Sequence, residues 1–154
     1  MRKILIILFG ILTIYACSKD SLSIEEKEED TFSSLIGKWQ LQRASDTPDF
    51  KTEYHGIDEF HKQNYIEITS DSMFICNCRW DENEFESSYG KFNIKFYEDK
   101  PYMTIADGIC FDITKAWSFC GIDLNVYYLN KNTLILHPVY KNYEEPYIEY
   151  KRIK

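Results

Sequence analysis

The chain has 154 residues, a formal net charge of −7 and aromatic side chains at 16% of its positions. So acidic a surface neither tracks the phosphate backbone of nucleic acid nor adheres electrostatically to anionic lipid, which excludes both as partners of a charged face. Twelve tyrosines and ten phenylalanines against three methionines weight the composition toward strands.

The N-terminus carries a basic pair, Arg2-Lys3, and an uncharged apolar run over 4–14. A membrane-spanning helix needs about 20 apolar residues, and Ser18-Lys19-Asp20 ends this run well short of that. A basic start, a short apolar stretch and a small residue before the cut describe a cleaved export signal. Ile14-Tyr15-Ala16-Cys17 resembles the end of a bacterial lipoprotein signal, in the looser form used by Bacteroidetes, although Tyr15 stands where that pattern has a small residue. The resemblance implies that 1–16 is the signal peptide and that Cys17 is the lipidated first residue of the mature chain. Two or more acyl chains, palmitate among them, anchor stably because each buried methylene contributes about 0.8 kcal/mol. Ser18-Lys19-Asp20 is similar to the lysine-plus-acid signal that sends such lipoproteins to the outer face of the outer membrane. The implied location is the outer membrane, lipid-anchored and exposed at the cell surface.

Residues 17–33 contain Glu25-Glu26-Lys27-Glu28-Glu29-Asp30. Such a segment buries too little apolar surface to fold alone, and its like charges extend it. It reads as an acidic tether, with a short charged helix in the same spacer role as the alternative. The folded domain is then 34–154, of the order of 120 residues, a normal size for one core.

Gly37, Trp39, Leu41 and Arg43 share one parity, opposite to Lys38, Gln40 and Gln42, as in a half-buried strand. The polar stretch 46–64 is long for a hairpin loop and predicts a helical turn or a lid. Tyr65-Ile66-Glu67-Ile68-Thr69 predicts a strand turned by Ser70-Asp71. Its partner over 73–80 places Phe74, Cys76, Cys78 and Trp80 on one face, and 81–84 turns the chain again. A long or bent strand over 85–97 follows, with Gly90 as a bulge or corner and Phe92, Ile94 and Phe96 facing inward. Asp107-Gly108 predicts a hairpin between strands over 102–106 and 109–114. Ile122, Leu124, Val126 and Tyr128 alternate with Asp123, Asn125 and Tyr127. The turn Asn130-Lys131-Asn132 leads to strands over 133–137 and 147–153. The chain is therefore expected to be all-β: an antiparallel up-and-down barrel of about eight strands, which removes edges by closing on itself. A β-sandwich is the alternative.

Beyond Cys17 four cysteines remain: Cys76, Cys78, Cys110 and Cys120. An even number in an exported domain reads as disulfides. Cys76 and Cys78 point to the same face of a strand, so each is expected to pair within the 110–120 segment. Free thiols and a zinc site are the alternatives, the latter lacking the usual Cys-x-x-Cys spacing.

Gly37-Lys38-Trp39 resembles the Gly-x-Trp motif of lipocalins. With the acidic tether, the preceding Leu35-Ile36 and the segment Leu129-Asn130-Lys131-Asn132-Thr133-Leu134-Ile135-Leu136, the chain looks like the lipocalin-like lipoproteins of Bacteroidetes. In those a final strand rich in tyrosine and basic residues closes the barrel, and Tyr147-Ile148-Glu149-Tyr150-Lys151-Arg152 fits that role. The resemblance implies a small calyx. It also implies that Arg152 lies across Trp39, making Gly37, Trp39 and Arg152 a structural closure.

For chemistry the sequence offers little. His55, Asp58, Glu59 and His61 cluster in the 46–64 loop, and Glu67, Asp107, Asp112 and Asp123 supply carboxylates of the kind glycoside hydrolysis pairs. There is no Gly-rich phosphate loop, no Gly-x-Ser-x-Gly and no His-Glu-x-x-His. No catalytic residue, metal ligand or cofactor is assigned, and the chain is not expected to be an enzyme. Tyr127, Tyr128, Tyr140, Tyr143 and Tyr147 are the stronger lead, since a tyrosine joins an apolar face to a polar tip. Two functions follow. One is a calyx holding a small hydrophobic or amphipathic ligand. The other is a filled barrel acting as a surface module for an outer-membrane or host protein. Small inward residues mark the first, large ones throughout the second.

Overall fold

The alternation read from the sequence is realised as ten strands among the described residues of the computed structural model, which are 24–52, 57–79, 85–106, 110–114, 117–120, 122–139 and 146–154. They are β1 (Gly37–Ser45), β2 (Tyr65–Ile68), β3 (Met73–Arg79), β4 (Phe85–Tyr97), β5 (Lys100–Ile105), β6 (Cys110–Thr114), β7 (Trp117–Cys120), β8 (Asp123–Leu129), β9 (Thr133–Val139) and β10 (Tyr147–Ile153). Cys17, His55, Trp80, the Asp107-Gly108 turn, Tyr140 and Tyr143 lie outside the described residues.

Eight strands close an antiparallel up-and-down barrel in the order β1-β2-β3-β4-β5-β8-β9-β10, with β10 returning to β1. Closure removes the edges that a sandwich would leave. The strand β6 does not pair with β5, which corrects the hairpin expected around Asp107-Gly108. Instead β5 pairs with β8 (Met103 opposite Leu124), and β6 pairs with β7 as a separate two-stranded ribbon. A turn signal fixes a reversal of the chain but not its partner. Here β8 brings Leu124 and Val126 to the core beside Met103 and Ile105, and that row completes the barrel.

Within the barrel two register shifts break the simple alternation. The first lies in β1 between Leu41 and Arg43. Trp39 and Leu41 point inward, but Ala44 and not Arg43 takes the next inward place. Arg43 faces out, pairing with Glu149 at 2.8 Å and covering the Phe50 ring at 4.5 Å. A guanidinium inside an apolar barrel would lose hydration without a partner; the bulge avoids that. The second shift lies in β8 between Val126 and Tyr128, and it turns Tyr128 outward instead of inward. Gly90 causes no shift. It sits next to the point where β4 exchanges partners, pairing with β3 through Lys91 and with β5 from Phe92 onward.

The helix α1 (Ile24–Leu35) occupies most of the segment read as a tether, which takes up the short charged helix given there as the alternative. It lies across the lower end of the barrel, the end holding Gly37 and the β4–β5 and β8–β9 turns. Leu35 is fully buried, Phe32 meets Phe92 with ring centroids 5.9 Å apart, and Lys27 pairs with Asp99 at 2.9 Å. Its large apolar side chains are only Ile24 at the start and Phe32 and Leu35 in the last turn, so tertiary packing and not an amphipathic stripe holds it. Glu98-Asp99 forms a two-residue turn with both residues at positive φ (49° and 62°), the hand that matches strand twist. The upper end carries the longer connections, including a 3₁₀ turn, His61–Gln63, within the 46–64 loop.

Gly37 has φ of +140°, and a Cβ there would stand 2.6 Å from Arg152 Nη1. Gly37→Ala therefore meets backbone strain of about 1–3 kcal/mol and also displaces the guanidinium. Chemical denaturation should show a loss of at least that size; an unchanged midpoint would contradict the close approach.

Candidate functional site

Trp39 of β1 and Arg152 of β10 are register partners across the seam that closes the barrel. The Arg152 Cζ lies 4.0 Å from the centre of the Trp39 ring. Arg152 Nη1 donates to the Ile36 carbonyl and Nη2 to the Ser34 carbonyl, each at 2.6 Å, while Nε donates to the Lys131 carbonyl at 2.8 Å. Trp39 Nε1 donates to the Leu35 carbonyl at 2.8 Å. A helix leaves its last carbonyls without intrahelical partners and presents the negative end of its dipole. The guanidinium answers both. Partial burial lowers the Arg152 pKa, but an arginine remains charged at neutral pH. Gly37, Trp39 and Arg152 thus meet at one point, where they hold structure and offer no reactive group.

Above this closure the interior is occupied. Trp39, Leu41, Ile66, Ile68, Phe74, Phe92, Met103, Leu124, Leu134, Leu136, Ile148 and Tyr150 are all buried inside the barrel. Burial pushes the Tyr150 phenol well above its ordinary pKa, and the neighbouring Cys76 and Cys78 act in the same direction.

Cys76 and Cys78 are both buried on β3, and Cys78 Sγ accepts from Asn64 Nδ2 at 3.2 Å. The ribbon β6–β7 packs against β3 through β6, which brings the second cysteine segment to the first. Within that ribbon Cys110 stands directly opposite Cys120. Opposed antiparallel residues have Cα atoms about 4.5–5.5 Å apart, inside the range a disulfide spans. The register adds a Cys110–Cys120 bridge to the pairings weighed from the sequence; the side chains of these two residues lie outside the described set.

The polar residues of the first loop are spent on local structure. Asp58 Oδ1 accepts from the backbone N–H of Phe60 and His61, at 3.0 and 2.9 Å, and contacts His61 Nδ1 at 2.8 Å. These bonds, the His61 backbone bond foremost, hold the Asp58 carboxyl below its usual pKa. Lys62 pairs with Glu59 at 2.7 Å. Glu67 on β2 pairs with Lys38 at 3.3 Å and stands across the barrel from Asp123 on β8, so these two carboxylates are not a dyad. Among the described residues no three His, Cys, Asp or Glu side chains are grouped to hold a metal ion, and no helix is long and apolar enough to cross a membrane.

The outer wall of β8, β9 and β10 carries the aromatics. His137 stacks on Tyr147 at 4.3 Å with an 8° interplanar angle, and Tyr127 meets Tyr147 edge-on at 4.9 Å. Partial burial, with Tyr127 adding to it, raises the Tyr147 pKa. Tyr127 and Tyr128 are 47% and 48% exposed. The alternation from Ile122 gave Tyr128 the inward parity; the tyrosine doublet, already singled out as a lead, was the signal that both rings could face water.

Fold and closure together define an eight-stranded antiparallel up-and-down barrel capped at one end by a helix. Two solved structures resemble it. One is a lipocalin-like protein from Bacteroides uniformis, at 16% identity and a TM-score of 0.47, covering 78% of this chain and 99% of the other. The second is an uncharacterized protein from Bacteroides eggerthii, at 19% identity and a TM-score of 0.46, covering 77% and 99%. No protein-family model matches the chain, and no curated protein does.

Trp39→Ala removes a fully buried indole and should cost about 3–5 kcal/mol. Arg152→Lys should destabilise nearly as much as Arg152→Ala, because one ammonium cannot reach three carbonyls in a planar fork. Urea unfolding of the three variants checks this. Full rescue by lysine would show that charge alone is what the site needs.

Proposed function

We propose that this chain is a lipid-anchored module of the outer-membrane surface, with a filled barrel that meets its partner through its outside. The observation that carries the reading is the occupied interior. Each of the eight barrel strands contributes at least one large, buried apolar side chain, from Trp39 in β1 to Tyr150 in β10. A calyx for a small hydrophobic ligand needs small inward residues along some of those strands. Support for an outward role comes from Tyr127 and Tyr128, two successive large rings left about half exposed on β8. Anchoring through Cys17 rests on the leader sequence. From Cys17 to Ile24 the chain reaches at most about 25 Å, which holds the helix-capped end near the membrane. The role needs neither metal nor cofactor.

Native mass spectrometry of the detergent-purified chain tests the reading. The expected mass is that of the acylated mature chain alone, and Cys17→Ser should move the protein to the aqueous phase in detergent partitioning. A hydrophobic molecule retained at one per chain would restore the calyx, and aqueous partitioning of the wild type would remove the anchor.

The export reading also proposes that Cys76, Cys78, Cys110 and Cys120 are disulfide-bonded. Non-reducing peptide mapping should find two bridges, whose loss typically costs about 2–5 kcal/mol. Four thiols alkylated without reduction would contradict it.

A further inference from the structure

The helix α1 is clamped at its C-terminal end by Arg152, yet it does not lie flat on β8. Between its outer face and the β8–β9 turn an open groove of about 760 Å³ remains. That is within the size range of small-ligand sites, roughly 300–1,000 Å³.

A separate observation concerns what lines it. The register shift in β8 turns Tyr127 and Tyr128 out together, and both rings border the groove. A bulge interrupts the ladder and re-aims side chains. Nothing in core packing requires two successive rings in water, since the inward row of β8 is already completed by Leu124 and Val126. The Tyr128 ring is also held in position: Asn130 Nδ2 donates to its hydroxyl at 2.9 Å, while Asn130 Oδ1 accepts from the backbone N–H of Asn132 and Thr133, each at 2.8 Å. A fixed turn thus presents a fixed aromatic face.

The remaining groups of the groove set the chemistry of its ligand. Asp30 and Ser34 come from α1, and Lys131 comes from the turn. With Arg152 they supply acceptors, donors, one anion and two cations around the two tyrosines, and Pro101, Val126 and Leu129 fill the apolar spaces between them. An acyl chain would strip water from these polar groups and leave them unpaired. A nucleic acid strand would meet Asp30 and a net charge of −7. A sugar satisfies both parts, because its C–H face lies on an aromatic ring while its hydroxyls reach short polar side chains.

Resting on the filled-barrel reading above, we infer that this groove binds a short oligosaccharide, with a pyranose ring on Tyr128 and its hydroxyls toward Asp30 and Lys131. The experiment screens the detergent-purified full chain on an array of neutral and uronic-acid oligosaccharides, then titrates the strongest binder by calorimetry. Saturable binding is expected. Tyr128→Ala should weaken it by about tenfold, the scale of one lost stacking contact, whereas Tyr128→Phe keeps most of it. Tyr89→Ala, on β4 and away from the groove, should change nothing. Tyr128 is about half in water and Tyr89 mostly so, and melting temperatures should stay close to wild type. No binder on the array, or equal weakening by Tyr89→Ala, would overturn the inference. An unglycosylated protein partner lost on Tyr128→Ala would also overturn it, marking the groove as a protein interface. Each of these results leaves the filled barrel standing; a lipid retained inside the barrel is what would remove that broader reading.

Discussion

The Arg152 guanidinium lies on the Trp39 indole and donates to carbonyls of Ser34, Ile36 and Lys131. That single group joins four pieces of chain: the end of α1, the first strand, the β8–β9 turn and the last strand. A barrel exists only if its first and last strands meet, and this is where they are bolted together. The helix depends on the same contact. Half of its residues are charged, Phe32 and Leu35 pack near its C-terminal end, and an isolated helix of that length is marginal in water. Docking of Phe32 and Leu35 and capping of the helix carbonyls hold it. Gly37 is part of the same constraint, since the guanidinium occupies the space where a Cβ would be.

From this closure the functional argument runs outward. With the lower end capped and large side chains buried inside the described barrel, the proposed reading places the function on its outer surface. What distinguishes its surface is then set by deviations from regular sheet. The bulge in β1 places Arg43 outside, where Glu149 and Phe50 receive it. The bulge in β8 places Tyr127 and Tyr128 outside, beside the groove under α1. The groove is bounded by α1 on one side and by β8 and the β8–β9 turn on the other.

The sequence made the wall of the barrel legible, because period-two alternation in 65–68, 73–79, 92–97 and 133–137 reports directly which side each residue faces. It made less of anything that alternation does not encode. Asp107-Gly108 signalled a reversal but could not say that β5 would choose β8. The parity of Gly37, Trp39, Leu41 and Arg43 failed at its fourth member, as did that of Ile122 through Tyr128, both at bulges. An acidic run left α1 as only the alternative reading, because Ile24, Phe32 and Leu35 are too few and too widely spaced to make a helical stripe. The meeting of Trp39 and Arg152 was accessible only through the resemblance to lipocalins, since no local pattern pairs the two ends of a chain. The groove was not accessible at all: it is assembled from α1, β8 and a turn that only the folded chain brings together.

The claim that one guanidinium couples helix, first strand and last strand is tested most directly by a double-mutant cycle. Arg152→Met keeps the stem and removes the fork; Trp39→Phe keeps an aromatic and removes the indole. Equilibrium unfolding of the two single variants, the double variant and the wild type gives the coupling between them. The account predicts a favourable coupling of about 0.5–2 kcal/mol, the scale of a partly desolvated cation over an indole. It also predicts that either single variant releases α1, with its amides exchanging ahead of global unfolding. Additive single effects, with α1 still exchanging only when the whole barrel opens, would contradict it.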